Sequence, residues 1–209
     1  MVQRSRRKTR CLGCGLTPET CLCAALPRVR LATPVAIVQH NRERFKPTST
    51  GRLLARMVEG AAVIPFGIRG LPFEPGPLLD PSIEWLLLFP RKDAAEFDPR
   101  RRPSEGRRLG LILLDGTWSQ CARMSHRVPG ISRLPCVALP AGGPPIWTVR
   151  TQHDERGRST FEAALLGLQR LEDAGAVSVL REAFAQVTAR MLHLKGKLRS
   201  PEVPAAWRV

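Results

Sequence analysis

Apolar residues in this chain fall into two kinds of pattern, and the two alternate along it. Short runs occur at Pro34–Val38, Ala62–Phe66, Trp85–Phe89, Leu109–Leu114 and Leu134–Leu139. Runs of this length, bounded by turn formers and without strict polar alternation, predict strands buried on both faces, as in a parallel sheet. Elsewhere the apolar spacing shifts to that of a helix. Thr50–Glu59 sets Leu53, Leu54, Met57 and Val58 inward and ends at Gly60. A helix opening after Thr117 carries Trp118, Cys121, Ala122 and Ser125 at helical spacing. Phe161–Asp173 and Val177–Lys195 read as two more, the second burying Leu180, Ala183, Phe184, Val187 and Met191. Strands alternating with helices predict an α/β fold, a parallel sheet covered by helices.

Two stretches break the pattern. Residues 67–81 are rich in Gly and Pro and predict irregular structure. Arg91–Arg108 holds seven basic and four acidic residues around Arg100, Arg101 and Arg102, which makes it too polar for core. No internal repeat is present, and neither a dinucleotide-binding glycine loop nor a phosphate-binding P-loop is found.

Charge narrows the range of partners. With 33 Lys+Arg against 18 Asp+Glu, the net charge of +15 excludes an ordinary neutral metabolic enzyme and points to a polyanion. No apolar run approaches the roughly 18 residues of a membrane span. The N-terminus, with Arg4, Arg6, Arg7, Lys8 and Arg10, lacks the apolar stretch of an export signal. A cytoplasmic protein that meets nucleic acid, and no membrane, is the reading that follows. Residues 1–10 read as a basic disordered arm.

Four of the six cysteines lie between positions 11 and 23, as Cys11-x2-Cys14-x6-Cys21-x-Cys23. Without an export signal this is metal spacing rather than a disulfide framework. Four thiolates are the complement of a closed structural zinc site, so residues 11–30 read as a zinc module that supports and does not catalyse. Residues 31–200 then form the main domain.

The most pointed stretch is Asp115-Gly116-Thr117-Trp118, directly after Leu109–Leu114. It sets a carboxylate at the carboxyl end of a core strand, the edge where open α/β sheets bind ligands. Thr117 and Gln120 fit a capping box, and so do Ser159 and Glu162 ahead of Leu165 and Leu168. The helix N-terminus at Ser159-Thr160 would offer free N–H groups to an anion.

The DGTW tetrapeptide resembles the signature of the DTW-domain family, the tRNA-uridine aminocarboxypropyltransferases. Three further stretches resemble that family in the same order: the cysteine cluster, Gln39–Glu43 running on to Thr48–Leu54, and Ser159–Ala163. The resemblance implies a SPOUT-like fold with a C-terminal trefoil knot. It implies transfer of the 3-amino-3-carboxypropyl group of S-adenosylmethionine to N3 of a uridine in tRNA, with release of methylthioadenosine. In that setting Asp115 is the candidate general base for the N3 proton, and His40, at the end of the first strand, a second catalytic or nucleotide-contacting candidate. Leu88, Phe89 and Pro90 resemble the family's strand-end turn for the adenosine. Asp115, Thr117, Trp118, Ser159, Thr160 and Glu162 complete the implied cofactor set. Arg4, Arg6, Arg7, Lys8, Arg10, Arg42, Arg100, Arg101 and Arg102 are the candidate RNA contacts, positioning the backbone rather than reading sequence. Two other readings keep the basic surface: a SPOUT-like RNA methyltransferase, and a zinc-stabilised RNA-binding protein without catalysis.

Overall fold

Strands buried on both faces need helices above and below, and the chain supplies them on both sides of one sheet. In the computed structural model the residues described are 9–140, 143–150 and 157–199, so Arg4, Arg6, Arg7 and Lys8 lie outside them. Six strands, β1 (Val35–His40), β2 (Ala62–Phe66), β3 (Ile83–Leu88), β4 (Ala95–Glu96), β5 (Arg108–Asp115) and β6 (Cys136–Ala138), form a sheet in the order β2-β1-β5-β3-β6-β4. Every pairing is parallel. Among the described residues four α-helices pack with the sheet: α1 (Thr50–Met57), α2 (Trp118–Arg127), α3 (Thr160–Leu168) and α4 (Ala174–Leu194). Among the described residues no helix is long and apolar enough to cross a membrane.

Side-chain alternation sorts the core into two layers. Val35 and Ile37 of β1, Leu86 and Leu88 of β3, and Leu109, Leu111 and Leu113 of β5 face α1, α3 and α4. Ala36, Val38, Trp85, Leu87, Ile112 and Leu114 face the other way, toward Cys121, Met124 and Val128. On the first face Phe161 stacks on Phe184 at 4.2 Å between ring centres, and Trp147 stacks on the same Phe184 at 5.5 Å. Cys14 and Leu16 are buried in this layer too.

Besides small shifts of element ends, and an edge strand β2 that is mostly not buried where burial on both faces was expected, the structure departs from the sequence reading in two larger ways. The polar stretch 91–108 was expected to stay out of the core, yet it contributes β4 and buries Phe97 completely. One ring among charged neighbours carries no periodicity; it goes inward because the β6 edge accepts the strand, with Phe97 N–H donating to Ala138 at 3.0 Å. The third helix stops at Leu168 rather than Asp173. Asp173 is instead the N-cap of α4, its carboxylate accepting from the N–H groups of Gly175 and Ala176.

Candidate active site

Asp115 is the last residue of β5, in register with Gln39 of β1. Alternation carries it after Leu111 and Leu113 onto the face covered by α1 and α3. Its side chain is only 4% exposed. Burying a carboxylate without partners is costly, and Asp115 has three. Oδ2 accepts from Gln39 Nε2 at 2.9 Å and from Ser49 Oγ at 2.8 Å, and Oδ1 accepts from Thr160 Oγ1 at 2.8 Å. Ser49 is the N-cap of α1 and Thr160 the first residue of α3. One carboxylate thus ties two strands to the starts of two helices. Gly51 makes the approach possible: a Cβ there would lie 2.8 Å from Asp115 Cγ.

The helix starts beside it are built as the sequence suggests. Thr117 and Gln120 form a complete capping box, as do Ser159 and Glu162. The Glu162 carboxylate does more than cap. Oε2 accepts from Ser159 N and Oγ at 2.9 and 2.7 Å, while Oε1 accepts from the N–H groups of Ile146 and Trp147 at 2.6 and 3.2 Å. With four donors it is fully committed to holding residues 146–147 against α3. Trp118 is not core: it is 45% exposed and leans on the Phe89 ring at 5.8 Å between centres. Leu88 is buried under α3, Pro90 is exposed, and the Phe89 N–H and C=O are both used internally, toward Val137 and by Arg91 N–H. What this turn presents outward is therefore the Phe89 ring and not its backbone.

Between Gln39 and Ser49 the chain makes a loop that leaves Asp115 and returns to it. His40 opens this loop and accepts the Arg42 N–H on Nδ1 at 3.1 Å. Burial lowers the imidazole pKa below its ordinary value, and the nearby charges of Arg42, Arg123 and Lys46 act in the same direction. Glu43 is 1% exposed and pairs with Lys46 and with Arg150. Burial works to raise its carboxyl, but the two cations outweigh it and hold it below the usual range. Arg150 also binds Thr48, and Arg52 donates to the carbonyls of Arg44 and Lys46 at 2.6 and 2.9 Å.

The sequence from residue 8 to residue 192 matches the DTW domain. The chain belongs to the DTW-domain family. It is 29% identical over 197 residues to tRNA-uridine aminocarboxypropyltransferase 2 of Drosophila melanogaster, spanning 90% of this chain and 73% of that protein. It is 28% identical over 200 residues to the protein of the same name from Macaca fascicularis, with coverage of 92% and 67%. No solved structure matches.

The family signature and the Ser159–Ala163 stretch therefore meet in space at Asp115 and Thr160, with the loop from His40 closing the third side. Other candidates lie elsewhere. The sulfurs of Cys11, Cys14, Cys21 and Cys23 all lie within 4.8 Å of one another, with Cys11–Cys23 at 3.5 Å and Cys14–Cys21 at 3.6 Å. Four thiolates about 2.3 Å from a tetrahedral ion stand roughly 3.8 Å apart, so the cluster could hold a metal ion. Arg42 is exposed on the loop. Arg101 is bound to Glu84 at 2.7 Å, near the amino end of β3 and so at the opposite end of the sheet from Asp115. Its guanidinium holds the Glu84 carboxyl down to about 2. Arg100 and Arg102 flank it on the same stretch, away from the DTW signature. Gln39, Ser49 and Arg150 were not singled out as site residues from the sequence. A polar Gln39 inside a buried strand was the available signal for the first; for Arg150 there was none, since its pairing spans more than a hundred positions.

Proposed function

We propose that this chain is a tRNA-uridine aminocarboxypropyltransferase acting in the cytoplasm on N3 of a uridine. The observation that carries the reading is the buried Asp115 of the DTW signature, held at the ligand-binding edge by side chains from the other family stretches, in a chain similar along most of its length to enzymes of that name. S-adenosylmethionine, as co-substrate, supplies a carbon activated by the sulfonium and leaves methylthioadenosine.

The residues present suit that co-substrate. The exposed Trp118 indole beside Phe89 offers a flat platform for a heterocycle, and the start of α2, with the Thr117 hydroxyl, suits a carboxylate. At the start of α3, by contrast, the Thr160 hydroxyl and the Phe161 and Glu162 N–H groups are already bonded within the protein. Uridine N3 is a poor nucleophile until it loses its proton. Asp115 is the base: of about four acceptor positions on a carboxylate three are filled, and the open one is on Oδ1, beside Thr160. His40 is a donor rather than a second base. Because Nδ1 accepts the Arg42 N–H, the neutral ring carries its proton on Nε2, where it can bind a uracil carbonyl. Glu162 supports the site by fixing residues 146–147 and the start of α3.

The four cysteines hold structural zinc, supported by their tetrahedral spacing. tRNA contact falls to the basic arm, Arg10 and Arg42, with Arg100, Arg101 and Arg102 reaching only a distant part of an extended substrate. The SPOUT-like, C-terminally knotted topology belongs to the same reading and rests on the family resemblance; the all-parallel, helix-covered sheet is compatible with it. The test is to incubate the purified protein with S-adenosylmethionine and unmodified tRNA and to analyse nucleosides and small products by mass spectrometry. Aminocarboxypropyluridine with methylthioadenosine is expected. A methylated nucleoside with S-adenosylhomocysteine would overturn the reading in favour of methyl transfer, and no product in favour of an RNA-binding protein without catalysis.

A further inference from the structure

Phe45 sits near the middle of the Gln39–Ser49 loop and is 76% exposed. A lone exposed aromatic is common on protein surfaces and by itself signals nothing. Three observations set this one apart. First, the backbone on either side of it is pinned: one guanidinium, that of Arg52, takes the carbonyls of both Arg44 and Lys46. Glu43, buried and ion-paired to Lys46 and Arg150, fixes the same loop from below, and Arg150 reaches Thr48. Surface loops are ordinarily mobile, so an apolar ring held out on a braced one has its ordering cost already met before any partner arrives.

Second, the ring is dressed with positive charge. The Arg44 guanidinium lies 5.4 Å from its centre, and Arg42 and Lys46 flank it. Aromatic and basic side chains presented together are the composition of a surface for unpaired nucleic acid, where a base stacks on the ring and the flanking phosphates meet the cations. A protein partner or a membrane would favour a wider apolar patch, and Phe45 has only polar or charged neighbours at positions 41–44 and 46. Third, the loop begins and ends on the candidate base, since Gln39 and Ser49 both donate to Asp115 Oδ2. Ser49 is four residues from Phe45, so their Cα atoms are within about 14 Å of each other.

We infer that Phe45 is a stacking platform for an unpaired base of the substrate RNA, a neighbour of the target uridine, with Arg42 and Arg44 receiving the adjoining phosphates. This rests on the reading of the chain as an RNA-modifying enzyme and adds to it: the substrate site must be single-stranded over more than the one modified nucleotide, so that the target and a neighbour are splayed apart.

The experiment measures binding of unmodified tRNA, and its salt dependence, for wild type, Phe45→Ala, Phe45→Leu, Phe45→Trp and Arg42→Ala, with a thermal melt and S-adenosylmethionine affinity as controls. Phe45→Ala should weaken tRNA binding roughly 5- to 150-fold, the range seen on removing one stacking partner. Phe45→Leu, which keeps apolar bulk but has no π face, should fall with it, and Phe45→Trp should stay near wild type. Stacking releases no counterions, so Phe45→Ala should leave the log–log salt slope unchanged, whereas Arg42→Ala should reduce it by about 0.7–0.9. Cofactor affinity and melting should not move. Unchanged tRNA binding in Phe45→Ala overturns the proposal, as does full rescue by Phe45→Leu, which would mean apolar packing without stacking. Wild type that binds no tRNA overturns the functional reading itself, and is recognised before any variant is compared.

Discussion

Asp115 receives hydrogen bonds from Gln39, Ser49 and Thr160 while it is proposed to receive a proton. The two roles are compatible because they use different lone pairs, and they predict different consequences for the same substitution. Asp115→Asn keeps the shape but turns one oxygen into a donor, which then faces hydroxyls able to reverse and a Gln39 amide able to flip. The brace is weakened rather than lost, at a cost of about 1–3 kcal/mol. The base, however, is gone, and removal of a positioned general base costs about 10²–10⁴ in rate. Single-turnover formation of aminocarboxypropyluridine at saturating co-substrate should therefore collapse while zinc content and co-substrate affinity persist. Activity within a few-fold of wild type would leave Asp115 as a brace alone. At this scale the sequence made the residue legible and its surroundings not. Strand-end position and the DGTW signature pointed to Asp115; that Gln39 would be its partner depends on the β1–β5 register, and that Ser49 would be depends on where α1 starts against the sheet, neither of which a local pattern encodes. Trp118 was placed in the cofactor set by the resemblance alone; its helical spacing does not decide between core and surface, and the structure leaves the residue 45% exposed.

The elements owe their positions to a few close approaches, and α1 shows how. Its first turn is pressed against the sheet at Gly51, where an added Cβ would meet Asp115 Cγ at 2.8 Å and Ile37 Cγ2 at 2.9 Å. Neither neighbour can give way easily, because Asp115 is held by three hydrogen bonds and Ile37 is fully buried. Gly51→Ala is thus an overpacking change, destabilising by about 1–3 kcal/mol, and the strain falls on the carboxylate. Gly167 in α3 is a fitting control. A Cβ there meets only leucine methyls, Leu111 Cδ1 at 3.0 Å and Leu88 Cδ2 at 3.1 Å. The expected outcome is that Gly51→Ala loses transfer rate well beyond its shift in melting temperature, while Gly167→Ala shifts melting with proportionate or no loss of rate. Equal behaviour of the two would mean that α1 does not position Asp115. Most elements could be read in advance because their apolar periodicity is strong. β4 and the true start of α4 could not: a two-residue strand has no period, and Asp173 looks alike as the end of one helix or the cap of the next.

Across the whole molecule the cysteine module and the site are mechanically one object. Cys14 and Leu16 are buried with α1 and α4, Gly15 lies so close that an added Cβ would be 1.9 Å from the Pro47 carbonyl oxygen, and Arg190 of α4 donates to Thr20. Val29 N–H donates to Met57 at 2.7 Å and Glu59 N–H to Val29 at 2.9 Å, stitching the strip after the cysteines to the end of α1. Pro47 belongs to the loop that carries Phe45 and returns to Asp115, so the module forms part of that loop's floor. A segment of this size cannot fold on its own apolar surface, and in small metal modules the binding free energy of the ion is folding free energy. Loss of the metal should therefore reach the site without touching any residue in it. Cys14→Ser, or treatment of the native protein with a strong chelator, should release the proposed zinc, about one ion per chain by elemental analysis, and lower the melting temperature. It should also raise amide hydrogen exchange in residues 41–57, with transfer falling in parallel. Exchange that rises only within residues 11–30, with transfer intact, would show the module to be an attachment that the catalytic edge does not need.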